Sequence, residues 1–381
     1  MDIYSNTCLP CLGKYERKNN NIGRETNMIR KPTGRAALAA ALAIASIIVA
    51  GVPSAFAQSV EDFYRGRSVT LIVPTAPGGI NDISGRLVAR NYGRFVPGNP
   101  NFVVQNVPGG GGLVAANRLA NTAERDGSII AIIQRAVPQL AIQGEPNAKF
   151  DPAKLTWLGS LSDYQDDAYL VVINADHPAK TADDLRKADI KLRLGGDQPG
   201  STNLAFAYLA KNAVNLNVDI IRGYPGAAPM FLAMQRGELD GQIIGYNSVR
   251  AGQPQLWGDK KVRPIIQFAR TKRHPDLQDI PTARELTNDP KMIALLDFAE
   301  MPFFMALPFV APPGLPADRA AALREAFMKM VSDKDFLGEA GKLRLDISAI
   351  DGAAVDAIVA RAMKTPRDIV ELYAKLAAPQ N

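Results

Sequence analysis

Cysteine and histidine are nearly missing from this chain, with two of each among 381 residues. Both cysteines, Cys8 and Cys11, fall at the extreme start. Their C-x-x-C spacing has no second pair to complete a metal or redox site, and beyond them no thiol remains for a disulfide. The histidines, His177 and His274, each precede a proline in a polar stretch and read as exposed loop residues. No G-x-S-x-G elbow, Walker loop or correctly framed G-x-G-x-x-G follows a strand, and Ser201 has no evident histidine and acid partners. The usual signatures of triad hydrolases and nucleotide-dependent enzymes are therefore lacking. Asp163, Asp166 and Asp167 cluster, but not with the spacing of an EF-hand loop, and they read as a solvated loop. No metal or cofactor is called for.

A long hydrophobic run is also lacking, except near the start. Arg30, Lys31 and Arg35 precede an alanine-rich apolar run over 36–52, and Ala55-Phe56-Ala57 follows. A basic region, a short apolar core and an A-x-A site predict a signal peptide over 28–57, cleaved after Ala57. The run falls short of the roughly 20 apolar residues that a membrane span needs. Residues 1–27 are polar and patternless, and Met28 stands where such a signal should begin, so translation is expected to start there. The leader also distorts the charge. Taking its seven Lys/Arg and three Asp/Glu from the totals of 44 and 38 leaves 37 and 35, a net +2. That balance gives no argument for nucleic acid. The mature, exported chain is long enough for two cores.

The stretch over 69–82, VTLIVPTAPGGIND, carries the most information. A β-rich apolar run passes through a Pro/Gly turn into the start of a helix. Such a turn leaves unpaired backbone N–H groups at the positive end of a helix dipole, a ready site for an anion. The unit recurs. A strand over 102–105 leads to Gly109–Gly112 and a helix carrying Leu113, Ala116, Leu119 and Ala120. An apolar strand over 128–133, covered on both faces, comes next. Another strand is expected over 170–173. A strand over 191–195 then leads to a helix aligning Phe206, Leu209, Ala210 and Ala213. One over 218–221 leads to a helix aligning Ala227, Met230, Phe231 and Met234, and 242–244 is again a strand. Helices dominate from Pro316 onward. Alternating strands and helices predict an α/β fold with largely parallel sheets and ligand beyond the strand C-termini.

The ordered motifs IVPTAPGGIND, QNVPGGGG, GGDQPGST, RGYPGAAPMFLAMQRGELDG, DLQDIPT and FVAPPGLPADR resemble those of the Bug/TctC family. Its members are periplasmic substrate-binding proteins of tripartite tricarboxylate transporters. The resemblance implies a two-lobed, type II periplasmic-binding-protein fold, with a small organic carboxylate held between lobes by backbone amides and water. It implies delivery to one large and one small integral membrane subunit, by a monomer and without catalysis. Lobe 1 is expected over 58–166 and 302–381 and lobe 2 over 167–301, with two crossovers near 164–169 and 299–303. An exported α/β enzyme acting on a small anion is the alternative.

Carried over position by position, the first lobe offers Thr75, Ala76, Gly78, Gly79, Asn81 and Asp82, the last two as ligand contacts or as helix caps. The turn after the 128–133 strand carries Gln134, Arg135 and Ala136, where many family members have small hydroxyl residues. Arg135 would pair a carboxylate bidentately, or else serve a structural ion pair. The second lobe offers Gly200, Ser201 and Thr202 at a helix start, as ligand donors or as caps. Tyr224, Pro225 and Gly226 precede the next helix. Tyr246 would close over the ligand or stand as a half-buried core aromatic with its hydroxyl in water.

Overall fold

The computed structural model describes residues 58–378 apart from 188, 198–200 and 346. The leader, the Cys8–Cys11 pair and Gly200 lie outside the described residues. A short helix α1 (Val60–Tyr64) leads into β1 (Ser68–Val73) and α2 (Ile80–Asn91). Next come β2 (Asn101–Asn106), α3 (Leu113–Asn121), β3 (Ile129–Ile132), α4 (Val137–Gln143) and β4 (Thr156–Ser160). The middle of the chain forms β5 (Tyr169–Asn174), β6 (Leu192–Gly196), α5 (Thr202–Asn212), β7 (Val218–Arg222) and α6 (Ala227–Gln235). It continues through β8 (Gly241–Gly245), α7 (Tyr246–Gly252), α8 (Pro254–Gly258), β9 (Val262–Phe268) and α9 (Pro290–Glu300). Last come β10 (Pro308–Ala311), α10 (Ala317–Val331), α11 (Lys334–Lys342), β11 (Ile350–Asp351), α12 (Gly352–Met363) and α13 (Arg367–Leu376).

Two sheets result, ordered β11-β4-β10-β3-β1-β2 and β7-β6-β8-β5-β9. In the first, β2, β1 and β3 are parallel, and in the second β7, β6 and β8 are. The expectation of largely parallel sheets holds for these cores only. β10 runs antiparallel between β3 and β4, and β5 runs antiparallel between β8 and β9. Each of these two strands enters its sheet from a segment that began in the other, which is why its direction is reversed. The sheets thus share one plan, with three parallel strands and then a strand arriving across the gap.

Period-two alternation divides each continuously apolar strand between two cores. Leu71 points into a cluster with Leu87, Phe309 and Phe327, while Ile72 points to the opposite cluster with Leu119 and Val359. In the second sheet, Val171 faces Phe206 and Leu296, and Leu170 and Val172 face Phe231 and Met234. α13 also belongs here, although sequence placed it with the first lobe. Ile369, Val370 and Tyr373 enter the second-sheet core, and the Tyr373 ring lies 5.3 Å from that of Phe298. The apolar face of α13 finds its cover on α9, so the chain passes between sheets a third time.

Gly85 sets how closely α2 lies on the first sheet. A Cβ there would stand 2.7 Å from Val73 Cγ2 and 3.4 Å from Ile132 Cδ1. Gly85→Leu should therefore lower unfolding free energy by about 2 kcal/mol or more through overpacking. Urea denaturation checks this, and an unchanged midpoint would mean that α2 can lift off the sheet freely. Among the described residues no helix is long and apolar enough to cross a membrane.

The histidines depart from expectation. His177 and His274 are 8% and 6% exposed. His177 Nδ1 accepts the Ala179 N–H at 3.2 Å, and His274 Nδ1 accepts the Asp276 N–H at 3.1 Å. Each ring caps the turn made by the proline after it, and this use of the ring buries it.

Candidate functional site

A cleft of about 1100 Å³ opens between the C-terminal ends of the parallel strands of the two sheets. One wall follows β1 and β3, the other follows β6 and β8, and the connecting segments form the floor.

The loop after β1 is held from behind. Asp82, buried in the first turn of α2, accepts the Gly78 N–H at 2.9 Å, Asn106 Nδ2 at 2.8 Å and Arg86 Nε at 3.0 Å. Asn106 Nδ2 also donates to the Thr75 carbonyl at 2.9 Å. The Arg86 guanidinium, with the amide donors of Asn106 and Gly78, brings the Asp82 carboxyl down to about 2. Asp82 therefore ties down the loop and does not line the cleft, whereas Asn81 and the 55% exposed Ile80 do. The N-cap of α2 is Gly79, which brings no side-chain acceptor. First-turn N–H groups of a twelve-residue helix are thus left for something else, and the dipole favours an anion. Ala76, Gly78 and Gly79 are exposed, and Gly78 has φ 94°, open to glycine without strain. Thr75 Oγ1 is buried with no hydrogen-bond partner among the described residues.

Gln134, Arg135 and Ala136 follow β3, and all three line the cleft. The half-buried Arg135 guanidinium lies over the Phe303 ring, its carbon 4.2 Å from the centroid. It has no hydrogen bond or ion pair among the described residues. No described acid therefore serves the structural ion-pair reading of Arg135.

On the second wall Ser201 is the N-cap of α5, accepting the Leu204 N–H at 3.2 Å, and Thr202 lines the cleft. Asp197 Oδ1, before that helix, is buried with no hydrogen-bond partner among the described residues, and burial pushes its carboxyl upward. Tyr224, Pro225 and Gly226 stand away from the cleft lining. The Tyr224 N–H reaches back to the Gly196 carbonyl at 3.3 Å, and its ring packs on the second core. Tyr246 also points away, into the core. It is 4% exposed and donates its hydroxyl to Asp276 at 3.0 Å, with its ring beside His274 and Trp257. Its neighbours Gly245, Asn247, Ser248 and Arg250 line the cleft in its place, because α7 starts immediately after β8 and turns residue 246 inward.

Several cleft residues carry no signature in the sequence. Tyr164 and Asp167 come from the segment joining β4 to β5, Tyr169 opens β5, and Ala306 and Leu307 come from the segment before β10. Arg344 and Ser348 come from between α11 and β11. Ser348 is brought in by its carbonyl, which accepts the Asp163 N–H at 2.9 Å. Asp167 is fixed by the N–H groups of Ala168 and Asn247, at 2.8 and 3.0 Å, pinning the first connection to the start of α7. Tyr164 holds a left-handed backbone with φ 66°, a conformation that costs a non-glycine residue energy and suits a turn under constraint.

Two sheets of matching plan with a ligand-sized cleft between their strand ends define the two-lobed fold of the periplasmic binding proteins, type II in its strand order. No family model matches the chain. In sequence it is similar to the UPF0065 protein in the gbd 5' region of Cupriavidus necator. The two are 26% identical over 343 residues, 88% of this chain and 95% of that one. In structure it is similar to a TctC solute-binding protein from Polaromonas, with a TM-score of 0.64, 20% identity, and coverage of 81% and 99%. It is also similar to MatC of Rhodopseudomonas palustris with bound malate, with a TM-score of 0.53, 21% identity, and coverage of 80% and 99%. A second Rhodopseudomonas palustris protein, solved with adipate, gives a TM-score of 0.54 at 20% identity, covering 82% and 97%. The resemblance to the Bug/TctC family drawn from the ordered motifs holds in both kinds of comparison.

Proposed function

We propose that this protein is an extracytoplasmic receptor that binds a small organic carboxylate in the cleft and releases it unchanged. Its leader exports it to the periplasm, and the closed form hands the ligand to one large and one small membrane subunit of a tripartite tricarboxylate transporter. The observation that carries the reading is Arg135, a cleft guanidinium without an acidic partner among the described residues, on the same wall as the start of α2, whose N-cap Gly79 brings no side-chain acceptor. Malate and adipate in the structural neighbours point to the same ligand chemistry. An enzyme is the weaker reading. Ser201 already holds a cap, and the Nδ1 atoms of both histidines already close turns.

On this reading the lobes are 58–166 with 302–365, and 167–301 with the last helix, hinged at the connections near 164–169 and 299–303. Donors from both walls can be satisfied at once only when the lobes close, so ligand shifts the population toward closure. Malate, adipate, citrate and benzoate are the probes, with glucose and putrescine as controls. At least one acid should raise the melting temperature, make the particle more compact in solution scattering, and protect the amides of Gly79, Ser201 and Thr202 from exchange. A shift with glucose or putrescine alone would overturn the carboxylate. Protection on one wall without compaction would overturn the clamp.

A further inference from the structure

Beneath the Tyr164 and Tyr169 that line the cleft lies a cluster of aromatic rings, with Phe303 at its centre. Its ring is fully buried, with centroids 4.9 Å from Tyr164, 5.0 Å from Tyr169 and 5.4 Å from Phe206. Tyr164 and Phe303 belong to the two connections between the sheets, and Phe206 belongs to α5 of the second. Arg135 from the first sheet also lies against Phe303, its guanidinium carbon 4.2 Å from the ring centroid. A guanidinium is normally oriented by carboxylates or carbonyls, and this one has neither among the described residues. The Phe303 π face is the contact left to orient it.

We infer that Phe303 is a positioning residue for ligand recognition: it holds the Arg135 guanidinium flat, so that its N–H edge is presented to a ligand carboxylate. The inference rests on the reading that Arg135 takes the carboxylate. Stacking suits this task because it satisfies one face of the cation without using any of its N–H donors. An acidic partner would orient the side chain equally well but would occupy the donors and cancel the charge that the ligand needs. A further consequence concerns geometry. The Phe303 ring touches both connections, so the guanidinium is referenced to the hinge rather than to the first lobe alone. Tyr169 adds a hydroxyl with no partner among the described residues, beside the same ring.

A double-mutant cycle tests this, with the tightest binder among malate, adipate, citrate and benzoate as the calorimetric probe. Phe303→Leu keeps apolar volume and removes the π face, and should weaken binding by roughly fivefold or more. In an Arg135→Gln background the same change should alter affinity less than twofold, because nothing is left to position. Phe303→Tyr keeps the ring and should bind within about twofold of the native protein. Should Phe303→Leu fail to fold, Phe303→Met takes its place in the cycle. Equal losses in the two backgrounds would overturn the inference, since Phe303 would then act only on the fold. Unchanged affinity on Arg135→Gln alone would instead overturn the carboxylate role of Arg135, and the positioning role with it. The two failures are told apart by that single variant.

Discussion

Arg284→Met should remove about 3 kcal/mol or more of unfolding free energy at pH 8, and clearly less at pH 5. Glu300, the last residue of α9, is completely buried, and its partner is Arg284 Nη1. The same guanidinium donates to Asp297 at 2.7 Å and to the Arg270 carbonyl at 3.0 Å. Arg270 in turn donates to the carbonyls of Tyr164 and Asp167, at 3.2 and 3.3 Å. One chain of bonds thus runs from the end of α9, where the second connection begins, to the first connection. Burial pushes the Glu300 carboxyl up to about 7, while Arg284 and the backbone N–H of Ala269 oppose it. Removing Arg284 leaves a buried charge uncompensated, which is costly while Glu300 is ionised and cheaper once it takes a proton.

The sign for the native protein comes from the same group. A carboxyl raised from 4.5 to about 7 on folding binds more protons in the native state between those values. Its contribution to stability is complete below pH 4.5 and is lost as pH rises through 7, with a slope of at most about 1.4 kcal/mol per pH unit. Glu300→Gln should flatten that part of the profile. Chemical denaturation from pH 5 to 8 checks both variants. Arg284→Met losing less than 1 kcal/mol at pH 8, or losing the same at every pH, would show that Glu300 finds water or another partner.

The architecture was legible where sequence pattern and backbone chemistry coincide. β1, β2, β6 and β7 each end in a glycine turn that opens a helix, and a continuously apolar strand announces cover on both faces. β4, β9 and β10 lack that punctuation. Pro264 interrupts β9 and Pro308 opens β10, and each strand owes its place to pairing across the sheet rather than to its own pattern. The cleft was half legible for a related reason. Asn81, Gln134, Arg135, Ala136 and Thr202 come after strands in the expected turns. Arg344 and Ser348 come from a segment whose only link to the cleft is tertiary. Tyr246 shows the limit of reasoning from strand ends: one residue of helical rotation after β8 decides whether a side chain meets ligand or core.

Arg135→Ala should weaken binding of the best carboxylate by about 2 kcal/mol or more, roughly thirtyfold, while leaving the melting temperature of the free protein nearly unchanged. The two halves of that expectation have separate causes. A charge-assisted, bidentate pair in a closing cleft is among the stronger polar contacts a small ligand can make. The free protein loses little, because Arg135 supports no hydrogen bond or ion pair among the described residues and contributes only its stacking on Phe303. Arg135→Lys separates charge from geometry: lysine keeps the cation but has neither the planar fork nor the stacked face, so it should recover only a minor part of the loss. Calorimetry on the three proteins decides the matter. Full recovery by lysine would reduce Arg135 to a diffuse positive potential, and unchanged affinity in Arg135→Ala would return recognition to the backbone amides at the start of α2.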